Sequence, residues 1–248
     1  MTKSNVAIVG DSRLAHEIQD LARAKKIDVS RFHEPSAVPS TTSLVIDTIA
    51  GNESAKKVAL QKLDAALPVS TVIVSSCLSV SVTSLGSWAN KPERIAGFAT
   101  FYPLKNRKVI EITGGLLTSA AALQNAEDFF KSLDKETVRV KDAAGLIFPR
   151  ILSLIVNEAA RSLEEGVASA EEIDIGMRLG VNYPEGPLRW ADEIGLDEVL
   201  AVLEGLQHET GDDRYRPAPL LKKLVAAGFL GEAQGRGFYS YNEVKVKP

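Results

Sequence analysis

Near Asp142 the hydrophobic period of the chain changes, and with it the kind of structure the residues can form. Before that point short β-branched runs alternate with helical stretches. Val6-Ala-Ile-Val9 ends at Gly10 and leads into a segment with Leu14, Ile18, Leu21 and Ala22 on one helical face, so a strand, a turn and a helix are expected. Further strands are expected at residues 28–32, 44–49, 71–74, 94–101, 109–112 and 138–140, with helices at 55–67, ended by Pro68, and at 119–133. The stretch from Ser75 to Ser84 reads as a strand end running into a loop. Such alternation predicts a mostly parallel sheet covered by helices on both faces.

From Gly145 onward the apolar residues keep helical spacing: Ile151, Leu154, Ile155, Ala159 and Leu163, then Ile173, Ile175 and Met177 after a break at Gly166. Ser169-Ala-Glu-Glu172 has the form of a capping box, in which the serine oxygen takes an orphan N–H and the glutamate reaches back. Pro184, Gly186 and Pro187 demand a turn, and helices are expected at 187–194, 196–209 and 219–227. The sequence therefore divides into an α/β unit, residues 1–142, and an all-helical unit, residues 143–248.

Composition narrows the function. A formal net charge of −3 over 248 residues gives no basic surface for a phosphate backbone, which disfavours nucleic acid. No apolar run approaches the roughly 18 residues of a membrane-spanning helix, and the N-terminus lacks a signal-peptide core, so a cytoplasmic protein is expected. The single cysteine, Cys77, cannot form an internal disulfide and fits a reducing compartment. No cluster of histidine, cysteine or acidic residues has metal-ligand spacing, so no metal is expected.

The helical part resembles the C-terminal domain of the L-3-hydroxyacyl-CoA dehydrogenase family. The resemblance rests on Asn157-Glu-Ala159, Glu164-Glu-Gly-Val-Ala-Ser169, Ile173-Asp174, Leu179-Gly180, Tyr183-Pro184, Gly186-Pro-Leu188, Ala191-Asp192, Arg214-Tyr-Arg-Pro217 and Gly235-Arg-Gly-Phe-Tyr239, in the family's order. The wording around Leu179 to Pro184, with Trp190, is similar to an extra C-terminal module of phenylacetate-pathway members. In the first part Pro92-Glu-Arg94 and Gly97 recur at the family's place. What the resemblance implies is a Rossmann-like doubly wound sheet followed by an all-helical domain, NAD as cofactor, an acyl-CoA ligand or a partner enzyme of acyl-CoA metabolism, and a homodimer formed by the helical domain.

Three departures bear on activity. The family's helical hairpin between strands two and three, part of its coenzyme A site, is replaced by residues 35–43, which are too few for a hairpin. The dinucleotide loop G-x-G-x-x-G reads Gly10-Asp-Ser-Arg-Leu-Ala15, keeping the first glycine alone; an NAD site on Gly10, Ser12, Arg13, Leu14 and Glu34 is thereby weakened, the more so as His33 falls at the place of the ribose-holding acid and Glu34 comes next. The family's general-base histidine falls at Ala99, its substrate-positioning asparagine at Pro149 and its serine near Leu78, with Ser76 and Ser79 as neighbours. Only the histidine's glutamate partner is kept, as Glu111. A missing general base alone costs on the order of 10²- to 10⁴-fold in rate. The expected protein is a degenerate relative with impaired catalysis. The competing expectation is an active oxidoreductase whose acid/base has moved to Tyr102, near Ala99 in sequence. His16, His33 and His208 are read as surface residues, and Lys105, Arg107 and Lys108 as a solvated loop.

Overall fold

The computed structural model describes residues 5–241. It forms two compact units that divide after Pro149. The first holds a seven-stranded sheet, in the order β2-β1-β3-β4-β5-β6-β7. The strands are β1 (Val6–Val9), β2 (Val29–Phe32), β3 (Leu44–Asp47), β4 (Val72–Ser76), β5 (Ile95–Ala99), β6 (Val109–Thr113) and β7 (Glu136–Arg139). All neighbours are parallel except β5 and β6, which run antiparallel with Ala99 opposite Glu111.

Period-two patterning explains the layers. Val6 and Ile8, Leu44 and Ile46, Val72 and Val74, Ala96 and Phe98, Ile110 and Ile112 belong to one core with Leu14 and Ile18 of α1 (Arg13–Ala24) and Phe129 and Phe130 of α4 (Ala120–Ser132). The alternate residues Ala7, Val9, Val45 and Ile73 are also fully buried, which is why these strands read as continuous apolar runs. Two further helices belong to this unit: α2 (Glu53–Ala66), capped by Asn52, and α3 (Val82–Ser87). The sequence reading of residues 75–84 as strand end and loop misses α3. Ser81 caps it, and the Asp142 carboxylate accepts from Val82 N and Thr83 N at 2.7 and 2.8 Å. The last strand also begins and ends slightly before its expected place. Between β2 and β3 stands a single 3-10 turn, Pro35–Ala37.

The second unit contains α6 (Ala170–Gly180), α7 (Pro187–Ile194), α8 (Leu196–Thr210) and α9 (Pro219–Ala226), preceded by α5 (Phe148–Glu164), whose first turn contains the division. Both bonds of the Ser169–Glu172 capping box are present. Buried acids lock the connections. Asp174 accepts from Leu188 N, Arg189 N and the Tyr239 hydroxyl; Asp192 accepts from Phe238 N, Tyr239 N and the Tyr241 hydroxyl. A Cβ on Gly237 would lie 2.0 Å from Asp192 Oδ1, so the closing Gly-Arg-Gly-Phe-Tyr segment admits only glycine there. Asn157 clamps a distant loop in the same way, donating to Arg216 O at 3.0 Å and accepting from Ala218 N at 2.7 Å.

Phe130 is fully buried, with Phe98 and Phe129 rings at 5.1 and 5.3 Å. Phe130→Ala is expected to lower unfolding free energy by about 3–5 kcal/mol, read from urea titration as a lower midpoint at unchanged slope.

Candidate active site

In an open parallel sheet the ligand crevice lies beyond the strand C-termini where strand order reverses, here between β1 and β3. Gly10 opens that crevice at φ +119°, and a Cβ there would meet Thr48 Oγ1 at 2.5 Å, so its glycine is compulsory. Ser12 is the N-cap of α1, accepting from Ala15 N at 3.2 Å, and lies 3.5 Å from Thr48 Oγ1. The Leu14 side chain belongs to the sheet core, leaving only its main chain at the loop. Arg13 lies over the Tyr102 ring, 4.3 Å from its centre. Glu34 is exposed, 4.0 Å from Lys62 Nζ. Asp11 pairs with Arg31 and, at 3.2 Å, with His16. The Arg31 hydrogen bond foremost, and that of His16, hold its carboxyl below the usual range.

These residues do not fit the diphosphate of NAD as a glycine loop does. The turn carries a carboxylate, the cap side chain already engages an early helix amide, and a hydroxymethyl stands where close backbone approach is required.

Beneath the crevice lies a buried network that the sequence reading missed. Lys56 Nζ donates to Asp47 Oδ2 at 3.1 Å and to Ile49 O at 2.6 Å, Ser75 Oγ donates to the same Asp47 oxygen at 2.6 Å, and Ile49 N donates to Asp47 Oδ1 at 3.0 Å. Asp47 and Lys56 are nine residues apart, one ending β3 and one in the first turns of α2. An acid at the end of an apolar strand run, followed by a lysine on the apolar side of the next helix, is the only trace of the pair in the sequence.

The second cluster lies where β5 and β6 pair. Ala99 and Glu111 line a cavity of about 290 Å³ with Thr100, Asn106, Lys108 and Phe148. Glu111 is buried, and its carboxylate faces the backbone: Ile147 N donates to Oε2 at 2.6 Å and Phe148 N to Oε1 at 2.8 Å. Burial, the larger influence, pushes its carboxyl above the ordinary value, and the two amides offset this only in part. Pro149 follows, at the start of α5, where a missing N–H is harmless. Thus two of the first amides of α5 are taken by Glu111, and the next is absent.

Tyr102 is placed elsewhere. It lines a separate depression of about 490 Å³ with Arg13, His16, Glu17, Asp20, Leu21 and Lys105. Leu78 is buried, whereas the hydroxyls of Ser76 and Ser79 are buried without a hydrogen-bond partner among the described residues. His33 and His208 are exposed. Burial pushes the Cys77 thiol far up, so no thiolate nucleophile forms there. Among the described residues no group of three His, Cys, Asp or Glu side chains is arranged for a metal, and no helix is long and apolar enough to cross a membrane.

A doubly wound sheet of this order, with its turn glycine at the switch point and a helical unit after it, defines the class of dinucleotide-binding-type α/β proteins. Comparison makes the assignment specific. The model of the 3-hydroxyacyl-CoA dehydrogenase NAD binding domain matches residues 12–143, and that of the 3-hydroxyacyl-CoA dehydrogenase C-terminal domain matches residues 145–241. A probable 3-hydroxybutyryl-CoA dehydrogenase of Bacillus subtilis is 40% identical over 200 residues, 81% of this chain and 70% of the relative. The 3-hydroxybutyryl-CoA dehydrogenase of Clostridioides difficile is 37% identical over 231 residues, 90% of this chain and 82% of its own. The crystal structure of (S)-3-hydroxybutyryl-CoA dehydrogenase PaaH1 from Ralstonia eutropha superposes with a TM-score of 0.76 at 32% identity, covering 98% of this chain and all of that one. The chain belongs to the 3-hydroxyacyl-CoA dehydrogenase family.

Glu111→Ala, which strands two amides, is expected to cost about 2–4 kcal/mol of stability. Glu111→Gln adds a pH test. A carboxyl raised by folding contributes stability that is fully present below its unfolded pKa and is lost as pH rises through the folded value. Unfolding midpoints of wild type relative to the glutamine variant are therefore expected to be more favourable near pH 4 than near pH 7.

Proposed function

We propose that this chain is a family member that has given up efficient 3-hydroxyacyl-CoA dehydrogenation and acts by binding, as a dimer, within acyl-CoA metabolism. The observation that carries this reading is the Glu111 carboxylate: both its oxygens are engaged by the backbone of Ile147 and Phe148, opposite a methyl at Ala99. A carboxylate that orients a proton acceptor needs that acceptor beside it, and at Ala99 there is only a methyl. Pro149 offers no side-chain amide to position a substrate. Losing both base and positioning group leaves orientation and proton transfer to solvent. The weakened loop at Gly10, Asp11 and Ser12 adds a poor NAD site to a poor proton path.

The ligand class that best suits the remaining scaffold is a short acyl-CoA thioester, the substrate type named for its bacterial relatives. The short connection between β2 and β3 requires a different grip on the coenzyme A tail. A reducing, cytoplasmic setting goes with the lone buried Cys77. Dimerisation through the helical unit is supported by α6, whose Ile175, Leu179 and the following Val181 are 48%, 74% and 54% exposed. Gly176 and Gly180 share that stretch with open space around them, room for a second helix to approach.

Oxidation of 3-hydroxybutyryl-CoA with NAD, followed at 340 nm, is expected to run about 10²-fold or more below active relatives. Ala99→His alone is expected to recover little, because Pro149 still supplies no positioning amide; ordinary turnover by wild type overturns the reading. Tyr102→Phe is expected to leave any residual rate unchanged, and a further collapse of that rate would install Tyr102 as the acid/base. Leu179→Asp is expected to convert dimer to monomer in light scattering, with the helical content intact. Calorimetry with butyryl-CoA separates a ligand-binding protein from a purely assembling one.

A further inference from the structure

The switch-point crevice brings its own anion. Asp11 follows the one glycine that the turn cannot replace, so its main chain is fixed by Gly10 at φ +119°, where an added Cβ would lie 2.5 Å from Thr48 Oγ1. Two cationic or protonatable groups from different elements meet at one of its oxygens. Arg31 Nη1, from β2, donates to Asp11 Oδ1 and also to Gly10 O at 3.4 Å; His16 Nε2, from the second turn of α1, lies 3.2 Å from the same Oδ1. Ser12 turns inward, capping α1, and lies beside Thr48 rather than Asp11. The arrangement is that of a small anion site with its anion supplied by the chain. A dinucleotide entering the crevice brings two phosphate charges to this turn, close to a carboxylate already held by the cations that would receive them.

We propose that Asp11 is the resident anion of the β1–α1 turn, clasped by Arg31 and His16, and that it excludes nicotinamide dinucleotides from the crevice. It rests on the poor NAD site of the proposed function and names its cause, and it concerns binding and not the proton path at Glu111. It makes Asp11 the residue that decides whether this domain accepts a diphosphate ligand. Removing the carboxylate frees Arg31 for that ligand.

Isothermal titration of the full chain with NADH and, separately, with ADP-ribose tests this. Wild type is expected to give no saturation at millimolar ligand. Asp11→Asn, which keeps the shape and removes the charge, and Asp11→Gly are each expected to tighten binding by about tenfold or more. Adding Arg31→Ala to Asp11→Gly is expected to abolish the gain. Circular dichroism and thermal melts verify that each variant is folded. Micromolar binding of NADH by wild type overturns the proposal, as does a folded pair of Asp11 variants that bind no better than wild type. A wild type that binds NADH tightly yet does not turn over would defeat this inference and leave the catalytic reading standing, whereas a wild type that turns over defeats that reading directly.

Discussion

At five joints of this molecule one carboxylate accepts hydrogen bonds from two consecutive backbone amides. Glu17 takes Leu104 N and Lys105 N at 2.5 and 2.8 Å, Asp142 takes Val82 N and Thr83 N, Glu111 takes Ile147 N and Phe148 N, Asp174 takes Leu188 N and Arg189 N, and Asp192 takes Phe238 N and Tyr239 N. The first amides of a helix or turn have no partner within it. A fork of two oxygens satisfies two of them at once and fixes the direction of the incoming chain. Each buried bond to a charged acceptor contributes about 1.5–3 kcal/mol, and the alternative there is an unpaired amide; those of Thr83 and Lys105 are exposed and contribute less. The cost is desolvation, which is why burial pushes Glu111 and Asp192 above their ordinary carboxyl values even though the amides pull the other way. Helices as short as α3 and α7 have little intrinsic stability, and these tethers set where they begin.

The same device operates beside Ala99. Glu111 faces a methyl at Ala99 across the β5–β6 pair, and a buried carboxylate without a partner is costly. In this chain the backbone at Ile147 and Phe148 supplies one. Pro149 suits the result, since a proline near the helix start removes a donor that would otherwise need an acceptor. Glu111 is therefore held by the start of α5 while it faces the Ala99 methyl across the strand pair.

Much of the architecture is legible before any coordinates. The apolar runs ending at Val9, Asp47 and Ser76 announce buried parallel strands, and Ser169 with Glu172 announces the start of α6, because both signals are local. The second unit is read from its motif residues, and the structure gives several of them a mechanical reason: Asn157, Asp174, Asp192 and Gly237 close loops onto helices. What escapes is the long-range pairing. Beyond the local cap Ser81, the carboxylate that holds the first amides of α3 is Asp142, 60 residues from Val82, so the serine-rich stretch looks like a loop. The commitment of Glu111 to α5 spans 36 residues, and nothing in Val109-Ile-Glu111 announces it.

Two buried ion pairs at opposite ends of the strands complete the first unit, and they differ in kind. Arg94 Nη2 donates to Asp64 Oδ1 at 3.0 Å and to Asp64 O at 2.8 Å, while Nη1 reaches Leu67 O at 3.2 Å, so one guanidinium gathers the turn between α2 and β4 against β5. Lys56 and Asp47 lie instead at the C-terminal ends, where β3 and β4 floor the crevice. A buried pair is weak evidence for net stability, since desolvation offsets most of the attraction. Its persistence is better explained by geometry: besides each other, the side chains of Lys56 and Asp47 bond Ile49 and Ser75 at the crevice floor and tie that floor together. A rigid floor under a turn that carries Asp11 means that the turn cannot yield to an incoming diphosphate by sinking into the sheet. What stands above that floor is the side chain of Asp11 with those of His16 and Arg31 on it.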